Sequence, residues 1–475
     1  MKKQIFGKNG LSPSYLRIKH PVFHYDRFAY TVTKKGLEIV YYFRTEPNFN
    51  FISKIIIGGT KNSRIKKIGK NNINILVFHL GLVEMLNYWK ATCSPDIQIH
   101  CGHLDKKQKS WWKNLISNGM GQYFFTNSID FTKNGFISIK TDHPGHKTNQ
   151  KKITVNDGRV LVPIGGGKDS SVTIELLRRN KEWNITSFVL EGNPASKVIL
   201  KNTKINRAIV CQRKIDPLLL ELNNKGYLNG HVPFSAFLAF LTYLSATLTG
   251  IKYIVFSNER SANEGNVKYL KHQINHQWSK TYTFENRFRG YINDYLFPKI
   301  IYFSLLRPLY ELQIARIFSR FPKYFSSFVS CNSQSKMKLP DPIAHLAGAL
   351  ANRWCGSCPK CLFTYTILYP YIENREIVKI FGKDLFKDQN LLSIMDELIN
   401  PKLTKPFECV GTKIEARVAF YLCLKKMCGD LPILLSIFKR RYLKKYPHID
   451  TETKRLINSW DNNNNLPKQF IKLIN

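Results

Sequence analysis

Apolar and polar positions follow two different rhythms along the chain. In roughly the first third, short apolar runs at Phe23-His24-Tyr25, at 37–43 and at 51–57 read as strands. Residues 75–88 carry an apolar stripe of helical spacing, and Trp111, Trp112, Leu115 and Ile116 mark a second amphipathic helix. Residues 119–125 read as a turn into a strand, and the polar stretch 142–152, with Pro144 and Gly145, as a linker. From Arg159 the rhythm changes. Strands predicted at 160–164, 185–190, 207–211 and 252–257 alternate with helices at 170–180, 215–224 and 234–248. Such alternation predicts a parallel sheet with right-handed crossovers. Ligands then sit beyond the carboxyl ends of the strands. Further helices are expected after 263, at 309–320, at 363–371 and over 413–443, and the Asn-rich tail 462–465 is expected to fray. There are no internal repeats. The predicted organisation is α/β: a smaller α+β domain over 1–155, a parallel-sheet domain over 156–330, and a helical part with a cysteine cluster over 331–475.

One stretch draws the chemistry together. Residues 160–164 are apolar and rich in β-branched types, as a strand buried on both faces should be. Gly165, Gly166 and Gly167 follow and keep side chains out of the way of a ligand. Lys168 comes next, then Asp169, Ser170 and Ser171, which are good N-cap types. A glycine turn feeding a helix start aims N–H groups and the positive dipole end at one spot, which suits phosphate. The string lacks the spacing of a Walker loop. It resembles the PP-loop of ATP pyrophosphatases, S-G-G-x-D-S, with Gly165 in place of the first Ser. A ligand-free tight turn is the plain alternative. Two more loops fall at strand carboxyl ends: Asn229-Gly230-His231-Val232-Pro233 and Ser257-Asn258-Glu259-Arg260-Ser261-Ala262.

Composition narrows the class. A chain of 475 residues has room for two or three domains, and 43% hydrophobic content excludes a disordered chain. No apolar run is long enough to span a bilayer, and the N-terminus has no signal-peptide core, so a soluble cytoplasmic protein is expected. The net charge of +39 admits nucleic acid, an anionic membrane or an acidic small substrate as partner. It is spread along the whole chain, and the abundance of Lys, Asn and Ile fits biased codon usage equally well. No nucleic-acid-reading module is recognisable, which weighs against that partner.

Ten cysteines in a cytosolic chain point to metal or catalysis before disulfides. Cys355, Cys358 and Cys361 have C-x-x-C-x-x-C spacing, and Cys331 is the natural fourth thiolate for a tetrahedral structural zinc. An iron–sulfur cluster and reduced, metal-free thiols are the alternatives. A lone Cys followed by such a triple resembles the zinc site of some PP-loop enzymes, such as the cyano-deazaguanine synthases. His231 is a candidate base or phosphate-orienting group, or else a helix cap. His276 and Lys280 would share one face of a helix, with Lys280 either holding phosphates or simply solvated. Glu259 and Arg260 are charged residues at a strand's carboxyl end, and Arg307 is a candidate anion clamp. Cys409 is a candidate base for a carbon acid, or an inert buried thiol.

Several strings occur together in one order: Gly-Gly-Gly-Lys-Asp-Ser (165–170), Asn-Gly-His-Val-Pro (229–233), Ser-Asn-Glu-Arg-Ser-Ala (257–262), Asn-His-Gln-Trp-Ser-Lys (275–280), Ser-Leu-Leu-Arg-Pro (304–308), Trp-Cys-Gly-Ser-Cys-Pro-Lys-Cys (354–361) and Pro-Phe-Glu-Cys-Val-Gly (406–411). From about residue 75 to 420 the chain resembles the MurL family of ATP-dependent UDP-N-acetylmuramoyl-L-alanyl-L-glutamate epimerases. The resemblance implies inversion of the terminal L-glutamate of a UDP-linked muramoyl dipeptide in peptidoglycan precursor synthesis, with ATP converted to AMP and diphosphate. It implies that residues 165–170, with Glu259 and Arg260, bind ATP with Mg2+. Asp169, Lys280, His276 and Cys409 are the candidate catalytic residues, with His276 and Cys409 as candidates for proton transfer. Gln122 and Thr412 depart from the family pattern, each standing where an acidic residue is expected. Two other classes compete: a PP-loop enzyme modifying tRNA, and a zinc-stapled binding protein with a decayed loop.

Overall fold

The computed structural model describes residues 10–142, 153–192, 194–297, 299–331 and 354–474. Its strands are β1 (Val22–Thr33), β2 (Gly36–Thr45), β3 (Phe49–Gly58), β4 (Asp96–Ile99), β5 (Ser138–Thr141), β6 (Asn156–Pro163), β7 (Asn184–Leu190), β8 (Ala208–Lys214), β9 (Ile251–Phe256), β10 (Val267–Tyr269), β11 (His272–Ile274) and β12 (Ile301–Ser304). Ten of them form one sheet in the order β12-β9-β6-β7-β8-β3-β2-β1-β4-β5, and β10 and β11 form a separate hairpin. Pairing is parallel from β12 through β8, antiparallel from β8 through β1, and parallel again through β4 to β5. The chain is therefore mixed α/β with a large, mostly parallel sheet. The sheet crosses the expected boundary at 155 without a break, because Lys54 to Ile57 of β3 pair with Lys214 to Cys211 of β8. Apart from Asp142, the expected linker lies outside the described residues.

The strand period of two separates the core into two. On β6, Leu161 faces one apolar cluster while Val160 and Val162 face the other. On β9, Ile254 and Phe256 alternate with Tyr253 and Val255 in the same way. The first core takes the aromatic faces of β1 and β2 and the apolar helix Phe234–Thr249, which ends at left-handed Gly250. The second takes the C-terminal helices, including Pro359–Leu368 and Lys413–Lys426. Among the described residues no helix is long and apolar enough to cross a membrane.

Three expectations fail locally. Residues 121–126 form a helix, not a strand, because Tyr123 and Phe124 both bury in the first core and tertiary packing overrides their β preference. The region after 263 begins with the β10–β11 hairpin, and His276 and Lys280 lie in a turn and a 3-10 helix, not on one α-helical face. The tail does not fray. Asn465 donates to Glu285 Oε1 at 3.0 Å, and Phe470 is buried, stacked on Trp183 with centroids 4.5 Å apart.

Candidate active site

At the carboxyl end of β6 the backbone opens into the glycine turn. Gly166 has φ +86°, and a Cβ there would lie 2.7 Å from Ala195 Cβ, so only glycine fits. Its carbonyl accepts from Val329 N at 2.9 Å, which ties the turn to the segment leading to Cys331. A Cβ at Gly165 would meet nothing within 4 Å. Gly167 is the N-cap of the helix Lys168–Leu177. Ser170 and Ser171 therefore sit in the first turn, each donating to the Gly167 carbonyl at 3.3 Å. Asp169, also in that turn, has the charge the helix dipole favours.

A dense charge cluster faces this turn. The buried Lys168 ammonium pairs with Asp169 Oδ1 at 2.5 Å and with Glu311 Oε2. Burial alone would lower its pKa, but the two carboxylates outweigh burial and raise it. Asp169, Glu259 and Glu311 bring one carboxylate oxygen each within 4.8 Å of one another. Glu259 is only 3% exposed, and burial, reinforced by Glu311 and Asp169 against the pull of Lys280, raises its pKa to about 7. Glu415 is likewise held at about 7, mainly by burial. Lys280 Nζ donates to Cys409 Sγ at 3.4 Å. Burial disfavours the Lys280 ammonium, but Cys409, Glu259 and Asp169 more than compensate, so its pKa goes up. Lys360 bridges Glu311 Oε1, at 3.8 Å, and the Cys409 carbonyl. Asp169, Lys168, Glu259, Lys280 and Cys409, distant in sequence, thus share one site.

Next to Lys280 lies a histidine pair. The His231 and His276 ring centroids are 4.4 Å apart. Burial lowers His231 to about 3 and His276 to about 4, so both are neutral near pH 7. His276 Nδ1 meets Gln122 Oε1 at 2.6 Å; an amide oxygen only accepts, so Nδ1 carries the proton and Nε2 the lone pair. Lys90 donates to the Gly230 carbonyl at 3.3 Å, and burial lowers it to about 8. Thr412, the other departure, caps the helix Lys413–Lys426 in a capping box with Glu415.

Two arginines are occupied elsewhere. Arg307 is 0% exposed and donates to the backbone carbonyls of Glu259 and Lys280 and to Glu285 Oε2, so it positions those residues. Arg260 pairs with Asp461 at 3.2 Å and lies over the Tyr310 ring.

The four cysteines converge. Cys331 and Cys358 sulfurs are 3.8 Å apart, Cys355 and Cys361 3.6 Å, and Cys358 and Cys361 3.5 Å. A zinc tetrahedron with ~2.3 Å Zn–S bonds has edges of about 3.7 Å, so this donor set fits zinc.

Glu311, Glu415 and Lys360 were not singled out from the sequence. Glu311 and Glu415 lie in the first turns of their helices, where a carboxylate normally faces solvent, and the packing of the C-terminal helices against the site buries them. Lys360 stands inside the cysteine string and was overshadowed by it.

Comparison with known proteins gives the family. The MurL N-terminal domain matches residues 16–305 and the MurL C-terminal domain residues 327–442. A protein of Xanthomonas oryzae pv. oryzae named UDP-N-acetyl-alpha-D-muramoyl-L-alanyl-L-glutamate epimerase is 34% identical over 72% of each chain. Proteins of the same name from Salinispora tropica and a Micromonospora species are 36% and 31% identical over 75% of this chain, and over 75% and 77% of their own lengths. No solved structure matches. With the family's two domains matched in order over residues 16–305 and 327–442 and relatives aligned over most of their length, the chain belongs to the MurL family.

Proposed function

We propose that the chain inverts the terminal L-glutamate of UDP-N-acetylmuramoyl-L-alanyl-L-glutamate, consuming ATP to AMP and diphosphate, as a cytoplasmic step of peptidoglycan precursor synthesis. The relatives' names support the epimerisation. The single observation that carries the ATP-dependent reading is that the glycine turn and the Lys280–Cys409 pair meet across one carboxylate cluster.

The α-proton of a carboxylate is very weakly acidic, because its removal builds a dianion. In the proposed first step a glutamate carboxylate oxygen attacks the α-phosphorus of ATP and the bond to the β-phosphate breaks. Diphosphate leaves, and the resulting acyl-adenylate has lost the carboxylate charge. The N–H groups of residues 165–167 and the helix start hold the diphosphate. Asp169, Glu259 and Glu311 offer the hard oxygen donors magnesium prefers, and the ion would supply charge neutralisation at the phosphates. Lys168 and Lys280 stay charged and bind anionic oxygens. Cys409 and His276 then serve the two faces of the α-carbon: one removes its proton and keeps it, and the other donates a proton of its own to the opposite face. The neutral His276, its Nδ1 proton held by Gln122, has Nε2 free for this. Water finally cleaves the acyl–phosphate bond, releasing AMP and the D-configured carboxylate. The four cysteines would hold a structural zinc behind the turn.

The test is incubation with the L-glutamate substrate and ATP, followed by chiral analysis of the released glutamate. D-glutamate is expected together with AMP; inversion that proceeds equally well without ATP refutes the proposal. A net charge of +39 favours a second reading, adenylation of a tRNA. ATP–diphosphate exchange that depends on tRNA and not on the muramoyl dipeptide would establish it instead.

A further inference from the structure

A second cluster of ligating side chains lies five strands along the sheet from β6, about 24 Å away at ~4.8 Å per strand. His24 and Asp26 are on β1, and His100 follows β4. The register of β1 against β2 slips between Tyr25 and Arg27, so Asp26 occupies a bulge. Bulges of this kind re-aim a side chain. His100 N donates to the Tyr25 carbonyl at 3.0 Å, which sets its ring beside that of His24.

In the neutral rings the hydrogen-bond partners select the tautomers. His24 Nε2 faces Glu46 Oε1 at 3.0 Å, and His100 Nδ1 faces Asp142 Oδ2. A ring nitrogen against an ionised carboxylate carries the proton, which leaves the other nitrogen with its lone pair. Those lone-pair nitrogens, His24 Nδ1 and His100 Nε2, face each other at 2.9 Å. Two lone pairs repel unless a proton or a metal ion lies between them. Asp26 Oδ1 stands 3.8 Å from His100 Nε2, and Arg44 orients its carboxylate from 3.3 Å. A tetrahedral zinc with ~2.05 Å bonds has ligand–ligand edges of about 3.3 Å, between these two spacings. Carboxylates holding the far nitrogens are the usual outer partners of metal-bound histidines. Asp26, Glu46 and Asp142 against Arg44 leave two negative charges, which a divalent ion balances.

The geometry points to a His24–His100–Asp26 site for a divalent transition metal such as zinc, with one coordination position left for water. The site is separate from the glycine turn and from the cysteine cluster. Its ion would clip β1 to the chain leaving β4 and, through Asp142, to the end of β5.

The full-length chain, stripped by a chelator and titrated with Co2+, tests this. Cobalt at the cysteines gives thiolate charge-transfer absorption; cobalt on imidazole and carboxylate gives only d–d bands. Wild type should take up one equivalent that adds d–d intensity without charge transfer. His24→Ala should lose that equivalent, and Asp26→Asn should weaken it at least tenfold. The Asp26→Asn result decides the matter should His24→Ala fail to fold. A wild-type chain with no such equivalent, or an Asp26→Asn variant that binds it as tightly as wild type, overturns the inference.

Discussion

In the antiparallel part of the sheet, β1 passes to β2 through only Lys34 and Lys35, and β2 to β3 through only Glu46, Pro47 and Asn48. In the parallel part, β6 reaches β7 through a glycine turn and the ten-residue helix Lys168–Leu177. The difference decides where the glycine-turn site can sit. Tight hairpins leave no opening at the strand ends, and the inward residues of β1 and β2 are Tyr25, Tyr41 and Phe43, which pack on one another and on Tyr88. Crossover connections leave the strand carboxyl ends open. There the sheet presents backbone N–H groups, and later segments bring Glu311, Lys360 and Cys409 to them. One half supplies most of the aromatic cohesion, and the other gathers the carboxylate and lysine cluster of the candidate active site.

The sharpest way to break this division is at its apolar end. Phe43→Ala should cost about 3–5 kcal/mol of stability, read from denaturant unfolding, with turnover per folded molecule unchanged. Lost turnover at unchanged stability would contradict it. At the other end, Asp169→Ala should cut AMP release by roughly 10²–10³-fold, the scale for removing one preorganised electrostatic group, while the unfolding midpoint stays close to wild type. Lys168 keeps Glu311 as partner in that variant. The smallest effect is expected at Gln122→Glu. A carboxylate on His276 Nδ1 favours the imidazolium and raises a pKa that burial holds at about 4. The acidic limb of the kcat/KM profile should move up by about one pH unit, lowering activity near pH 5 and leaving it unchanged near pH 8.

Local features were legible in the sequence. The strand predicted at 160–164 ends at Pro163, and the glycines that follow make the strained turn, because both signals lie within a dozen residues. The triple Cys355, Cys358 and Cys361 was legible from spacing, and Cys331 was added as the fourth thiolate a tetrahedral zinc needs. What could not be read depends on distant partners. Glu311 and Glu415 look solvated until other helices bury them, and Phe470 looks like part of a loose tail until Trp183 is beneath it. His24 and His100 are 76 residues apart and meet only because β1 and β4 pair. Arg307 had the right charge for an anion clamp, but its two terminal nitrogens donate to carbonyls and to Glu285.

The pairing of β3 with β8 has a practical consequence for anyone dissecting the chain. A fragment starting at β6 would leave Cys211 to Lys214 with bare amide and carbonyl groups along a newly made rim of the sheet. Such rims recruit strands from neighbouring molecules, so the fragment would self-associate into aggregates instead of behaving as a free-standing module.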